Sequence, residues 1–456
     1  MSVVEKVVRE SAGAAPRSAQ VPPSPVTVKD TGLSRETIID LLLKTLYVQG
    51  ARTGQQLTDS ICLPFDIVDE QLLWLQERRF IEVRRTTGPS RGGYVFDLGN
   101  AGRERARDAF EANQYVGAAP VPLDTFRTWI ENQSVRHLHT NRERVRDGFS
   151  HLVIKEDVLE ALGPAINSAS SLFLYGDPGN GKTVIAEAIA TMFGGDIYIP
   201  RAVDIDGQVM VVYDPVHHKP LSEEEQQRPG EAEWLREPQD VDRRFVHIRR
   251  PVVFVGGELS LEQLDLQYDE FTKMYQAPFQ VKAAGGVLII DDFGRQLVAP
   301  RDLLNRWIVP LEKRIDYLTL HTGVKFPVPF DCLLVFATNL EPHDLVDEAF
   351  LRRIRYKLNV IDPDREQWEE IFRRECANRS IPHTSRAVDY IYMRYYEGKG
   401  IPPRSCHPRD ILDHILHAAR YEEREPVLTP ELLDHACRSY FMIMAHRAMK
   451  ASGDAA

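Results

Sequence analysis

Apolar residues recur at intervals of three and four from Ser34 onward. In "LSRETIIDLLLKTLYVQG" they fall on one face of a helix, with Ser34 placed to cap its start and Gly50 to stop it. "RTGQQLTDSICL" carries Thr53 and Gln56 at the spacing of a reciprocal cap, which predicts a second helix. "PFDIVDEQLLWLQERRF" predicts a third, with Pro64 near its first turn. The period then changes. "FIEVRR" and "YVFDLG", separated by "TTGPSRGG", read as a two-stranded hairpin.

Helices followed by a hairpin over residues 34–112 resemble a winged-helix domain. Such a domain reads DNA with its third helix, or serves as a protein-interaction module. The third helix here carries Asp66, Asp69, Glu70 and Glu77, with Arg78 and Arg79 only at its end. Phosphates repel such a surface. The hairpin is more basic, with Arg84, Arg85 and Arg91, so wing contact with DNA stays open. Residues 1–33, rich in Pro, Ala and Ser toward the start, are expected to be a flexible tail. Residues 113–148 are expected to be a linker and helix. Their His137 and His139, and His151 beyond them, lack the Cys or carboxylate spacing of a metal site.

Further along, "SLFLYGDPGNGKTVIAEAIA" holds a strand, a glycine-rich loop and a helix in succession. The loop, Gly176-Asp177-Pro178-Gly179-Asn180-Gly181-Lys182-Thr183, with Val184 beyond it, fits the G-x-x-x-x-G-K-T pattern that cradles phosphates. Its glycines let backbone N–H groups approach an anion, and the helix start adds its positive end. Lys182 is expected to reach the β- and γ-phosphates, and the Thr183 hydroxyl to ligate Mg²⁺. About a hundred residues later, "GGVLIIDDFGRQ" sets Asp291 and Asp292 side by side at the tip of an apolar strand. Two adjacent carboxylates in a dry place are costly unless a cation, water or substrate lies between them. Asp291 is expected beside Mg²⁺, and Asp292 at the attacking water.

"GDPGNGKT", "VLIIDD", "LLVFATNL" and "AFLRRI", in that order, resemble an AAA+ ATPase over residues 149–444. The resemblance implies an α/β P-loop NTPase core over 149–360, a parallel sheet with helices on both faces, and a helical lid over 361–448. It implies ATP and Mg²⁺ as ligands. Asn339 matches the polar residue that helps position water or the γ-phosphate. Arg352 and Arg353 both match the arginine finger that reaches a neighbouring subunit's nucleotide. Arg409, in "CHPRDILDHILHAARYEE", matches the lid arginine that touches the γ-phosphate in cis. A homo-oligomer, most often a hexameric ring, is implied.

Where the family usually has Asp then Glu, this chain has Asp291 then Asp292. The shorter side chain either works through an extra water or backbone shift, or hydrolyses slowly; misplacement by ~1 Å can cost on the order of 10²-fold. Residues 200–284 form an insert, and "EEEQQRPGEAEWLREPQD" within it is expected to be an exposed charged loop. "VFVGG" has the letters of a polypeptide-threading pore loop, but Pro251–Val255 reads as a buried strand. Arg243, Arg244, Arg249 and Arg250 are candidates for gripping nucleic acid or an acidic partner, or form a solvated strand edge. Tyr268, Phe271, Tyr275 and Phe279 are spaced for one helix face. "RIDYLTLHTGVKFPVPFDCLL" predicts a hairpin turning at His321-Thr322-Gly323. An insert with such a hairpin is similar to MoxR-type ATPases and enhancer-binding activators, although the activators' "GAFTGA" is absent.

Bulk properties narrow the choice. A net charge of −11 argues against general nucleic-acid binding. Five scattered cysteines, with no C-x-x-C, argue against a disulfide framework and fit a reducing cytoplasm. No apolar run reaches the roughly 18 residues of a membrane helix. The expectation is a cytoplasmic ATPase that remodels or assembles a protein client. The alternatives are a DNA-acting ATPase and a slow, nucleotide-gated scaffold.

Overall fold

The structure, a computed structural model, describes residues 21–88, 90–222, 241–345, 348–398 and 400–453. They divide into two compact units, one from residues 21–139, 193–290 and 295–334, the other from 140–192, 291–294 and 335–453.

The first unit opens with the helices that the periodicity predicts. Arg35–Gln49 is capped by the Ser34 hydroxyl, which accepts from the Thr37 N–H, and ends at Gly50. Thr53 and Gln56 form the reciprocal cap of Gly54–Ile61. Phe65–Glu77 starts after Pro64. Strands Ile81–Thr86 and Tyr94–Leu98 pair antiparallel, and Arg52–Thr53 adds a third strand. Ile38, Leu42, Leu57, Val68, Leu72 and Phe96 have no exposed surface. Each such side chain contributes about 1.5–3 kcal/mol on burial. This core continues into Ala119, Ala202 and Val209, so the helices share one interior with the insert.

Arg244, 3% exposed, makes a forked pair with Asp242 and donates to the Thr31 carbonyl at 2.9 Å. Arg250 donates to the carbonyls of Gln133 and Gly285, and Arg243 pairs with Asp59 at 3.0 Å. Three of the four arginines offered as a nucleic-acid grip therefore serve the interior or an ion pair. Residues 21–33 depart from a flexible tail: Val28–Thr31 is a helical turn with a reciprocal cap, and Pro23 bridges Val241. Arg244 anchors that turn through Thr31. Residues 1–20, and the charged segment 223–240, lie outside the described residues.

The aromatic run at 268–279 is a correction. Gln267–Asp269 and Met274–Gln276 are antiparallel strands, and Tyr268 faces Tyr275 across them. The Asp269 carboxylate accepts from the Phe271 and Thr272 N–H groups, and Lys273 adopts φ +52°; together they make a turn where helical spacing predicted continuity. Phe271 ends 86% exposed at that turn. The second hairpin stands as predicted: Ile315–Thr319 pairs with Lys325–Pro329, and Gly323 turns the chain at φ +87°.

A five-stranded sheet carries the loop motif. Its order is Val252–Val255, Val287–Ile290, Leu333–Ala337, Ser171–Tyr175, Tyr356–Asn359. Both outer pairings are parallel. Val253 to Val255 of "VFVGG" thus lie in a sheet strand, with the two glycines just past its end; the strand is half-buried rather than buried, since Val252 and Phe254 are exposed. The strand leading to Asn339 sits between the phosphate-loop strand and the paired-aspartate strand. The first strand in sequence has later strands on both sides, the kind of reversal at which α/β sheets bind ligands.

Helices Arg365–Asn378, Ser385–Ile391, His407–Tyr421 and Pro430–Gly453 make up the C-terminal part of the second unit. Asp364 and Gln367 cap the first reciprocally. Trp368 stacks on Phe372 at 5.2 Å, inside a core that includes Tyr395, Ile411, Leu412 and Leu433. No helix among the described residues is long and apolar enough to cross a membrane.

Candidate functional site

The site grows from the buried strand Ser171–Tyr175, the loop after it, and the helix Lys182–Phe193. Two loop glycines are required by space and conformation. At Gly176, φ +126°, a Cβ would lie 2.6 Å from the Val360 carbonyl oxygen. At Gly179, φ +90°, it would lie 2.6 Å from Cys406 Sγ. Any side chain there would push the loop off the strand end or off the 404–406 segment.

Lys182 is 7% exposed and donates to the Gly176 and Asp177 carbonyls at 2.9 and 2.8 Å. Burial pulls its amine below the usual lysine range, while Asp177, Asp291 and Asp292 act in the opposite direction. Thr183 Oγ1 donates to Asp291 Oδ2 at 2.9 Å. The other Asp291 oxygen, Oδ1, accepts from the Asp292 N–H at 3.0 Å. Asn339 Nδ2 donates to Asp292 Oδ1 at 3.0 Å. The paired aspartates are therefore divided: one faces the loop threonine, the other the asparagine of the neighbouring strand. Asp292 has φ +49°, a left-handed backbone that Asp and Asn enter more readily than Glu. The backbone thus favours Asp at the position where the resemblance leads one to expect Glu. Just beyond, the Phe293 N–H bonds the Ala337 carbonyl, and Thr338 Oγ1 bonds the Phe293 carbonyl, fixing the two strand tips together.

These groups line one cleft of about 940 Å³, which also takes in Pro178 to Val184 and Arg409. Its lining also includes the apolar Leu152, Val153, Ile154, Val158, Ile361 and Ile371. An anion-binding loop and apolar side chains in one cleft suit a ligand with a phosphate chain and a flat base. Thr183 and Asp291 supply hard oxygens side by side, as Mg²⁺ requires. No group of three or more His, Cys, Asp or Glu able to hold a metal occurs among the described residues. Mg²⁺ takes one or two protein oxygens and completes its shell from phosphates and water.

Arg409 lines the cleft, but its guanidinium donates to Asp410 at 2.9 Å and is 59% exposed. Arg352 and Arg353 do not line it. Arg352 is exposed, and Arg353 packs over the Phe350 ring at 5.5 Å. Sequence reasoning missed the apolar lining and three polar residues, Arg374, Arg404 and Cys406. Asn180, 5% exposed, donates to Asp362 at 2.7 Å. Arg374 donates to the Ser150 carbonyl at 2.8 Å. Arg404 and Cys406 hold the loop itself.

The sheet, the phosphate loop at its strand ends and the C-terminal helices define an α/β P-loop NTPase fold. Residues 364–439 match a family described as a domain of unknown function, DUF8689. No curated protein sequence matches the chain. Among solved structures, the chain is similar to NtrX from Brucella abortus in complex with ADP, at 14% identity and a TM-score of 0.37, covering 63% of this chain and 56% of that one. The chain thus spans less than two thirds of NtrX. It is also similar to the RuvB Holliday junction branch migration motor of Thermotoga maritima, at 15% identity and a TM-score of 0.35, covering 62% of this chain and 69% of that one.

Proposed function

We propose that this chain is an AAA+ ATPase that binds Mg²⁺–ATP in the cleft and hydrolyses it to ADP and phosphate. The observation that carries the reading is the 2.9 Å contact of Thr183 Oγ1 with Asp291 Oδ2 beside a complete phosphate loop. In this reading Lys182 leaves the loop carbonyls to bind the β- and γ-phosphates, and the N–H groups at the start of the Lys182–Phe193 helix face the β-phosphate. Thr183 and Asp291 would hold Mg²⁺, which when bound would supply charge neutralisation across the phosphates. Asp292, steadied by Asn339, orients the attacking water and accepts its proton as the bond to the γ-phosphorus forms and the bond to the leaving ADP oxygen breaks. Arg409 turns from Asp410 to the γ-phosphate in cis. Arg352 or Arg353 acts on a neighbouring subunit's nucleotide, so the working form is a homo-oligomer, a hexameric ring in this reading.

The client is a protein, remodelled in the manner of MoxR-type ATPases, and the winged-helix-like region 34–112 recruits it or regulates assembly. Two observations favour a protein over DNA. Arg84 and Arg91 of the wing are paired with Asp97 and Asp69. On the third helix Asp66 and Glu77 are exposed, and phosphates are repelled by such carboxylates.

The test is steady-state phosphate release with Mg²⁺ and ATP across a range of protein concentrations, with Lys182→Ala as the blank. A rate per subunit that rises with concentration and vanishes in the variant supports the reading. ATP bound without release above the blank would leave the nucleotide-gated scaffold instead.

A further inference from the structure

Three consecutive residues, Arg404, Ser405 and Cys406, each grip the phosphate loop. Arg404 Nη1 donates to the Pro178 carbonyl at 2.7 Å, and its Nη2 lies 3.2 Å from the Asp177 carboxylate. The Ser405 N–H donates to Asn180 Oδ1 at 3.3 Å. The Cys406 N–H donates to the Gly179 carbonyl at 2.9 Å. The Arg404 side chain is only 13% exposed. The strap is itself braced from below: the Arg404 N–H donates to His407 Nδ1 at 3.3 Å, and His407 has no exposed surface.

The loop carbonyls are thus shared between two cations. Lys182 takes those of Gly176 and Asp177, and Arg404 takes that of Pro178. In the proposed function Lys182 is drawn away to the phosphates. Arg404 and the Cys406 N–H then remain to keep the carbonyls turned away from the ligand and the N–H groups turned toward it. We propose that Arg404 is a positioning residue for nucleotide binding: it does not touch the phosphates, but holds the loop in its anion-binding shape once Lys182 is engaged. This rests on the nucleotide reading of the cleft. It differs from the role given to Arg409, which lies in the first turn of the following helix, His407–Tyr421, and acts on the ligand itself.

The experiment is equilibrium binding of a fluorescent ATP analogue with Mg²⁺ to the full chain, together with melting temperature with and without nucleotide. The variants are Arg404→Ala, Arg404→Lys, Asp177→Asn and Lys182→Ala. Loss of a charge-assisted hydrogen bond predicts about tenfold weaker binding for Arg404→Ala. Its melting temperature without nucleotide should hold, while the nucleotide-induced rise shrinks. Lysine restores charge but lacks the fork that serves a carbonyl and a carboxylate together, so Arg404→Lys should recover part of the affinity. Asp177→Asn should weaken binding about threefold, because the Pro178 bond survives. Parent-like affinity in Arg404→Ala overturns the proposal. If Arg404→Ala melts early on its own, Asp177→Asn decides: parent-like affinity there overturns the proposal as well. Parent-like binding by Lys182→Ala would overturn the nucleotide reading instead, whatever Arg404 does.

Discussion

The arginines of the N-terminal helices and those of the nucleotide cleft are used differently. In the first region most guanidiniums are matched to a carboxylate of another element. Arg35 pairs with Glu70, Arg91 with Asp69, Arg84 with Asp97, and Arg105 with both Glu36 and Asp40. Arg78 lies over the Trp74 ring at 4.1 Å. Around the cleft, Arg404 is divided between the Pro178 carbonyl and the Asp177 carboxylate, Arg409 pairs with its own neighbour Asp410, and Arg352 stands exposed. A pair already satisfied gains little from a phosphate, because the old partner must be abandoned first. A guanidinium that stands in water has no such partner to give up. In the proposed function the polyanion chemistry of this chain lies at the strand ends of the five-stranded sheet rather than on the wing.

The hardest test of that contrast removes both candidate finger arginines. Arg352→Ala with Arg353→Ala should lower phosphate release by on the order of 10³-fold and leave ATP affinity near the parent's. Full release in the double variant would remove the trans role. Lys182→Ala should weaken ATP by about a hundredfold, read by titration calorimetry.

A third prediction concerns what keeps the strap in place. Burial, with Arg404 nearby, pushes the His407 imidazole down to about 4. Its charged form is thus penalised in the folded state, so this contribution to stability is complete above the ordinary histidine value near 6.5. It is lost as pH falls from there through about 4. The loss should be about 3 kcal/mol in urea-midpoint measurements, and His407→Gln should flatten that pH slope.

Effects on the matched arginines should be smaller. Arg91→Ala leaves Asp69 without its partner at a half-buried position and should cost about 1 kcal/mol of stability, with ATP affinity unchanged. The smallest expected signal is on DNA. Labelled duplex at low salt should show no shift with the full chain, and a salt-dependent shift would reverse the ranking of the two regions.

Much of this was legible along the chain, for a reason visible in the residues. Phosphate binding needs Gly, Lys and Thr at fixed spacing, and the strand–loop–helix around Gly176–Thr183 follows from that chemistry. Ser34, Thr53 and Gln56 announce helix starts because caps are local. Arg404 was not legible, since its partners Asp177 and Pro178 lie over two hundred residues away and meet it only through tertiary folding. Nothing short of the fold separates Arg244, a buried anchor, from a surface basic cluster. The aromatics at 268–279 misled because intervals of three and four serve a hairpin as well as a helix once Asp269 closes a turn. Asp292 read as a shortened glutamate; its positive φ gives a backbone reason for the shorter residue.

The most direct measurement is a calorimetric titration of the full chain with ATP, with and without Mg²⁺, beside Lys182→Ala and Asp291→Asn. Saturable binding that tightens with Mg²⁺, is lost in Lys182→Ala and loses only its Mg²⁺ dependence in Asp291→Asn is the predicted result. Equal binding by parent and Lys182→Ala, or no binding by the parent, would contradict it.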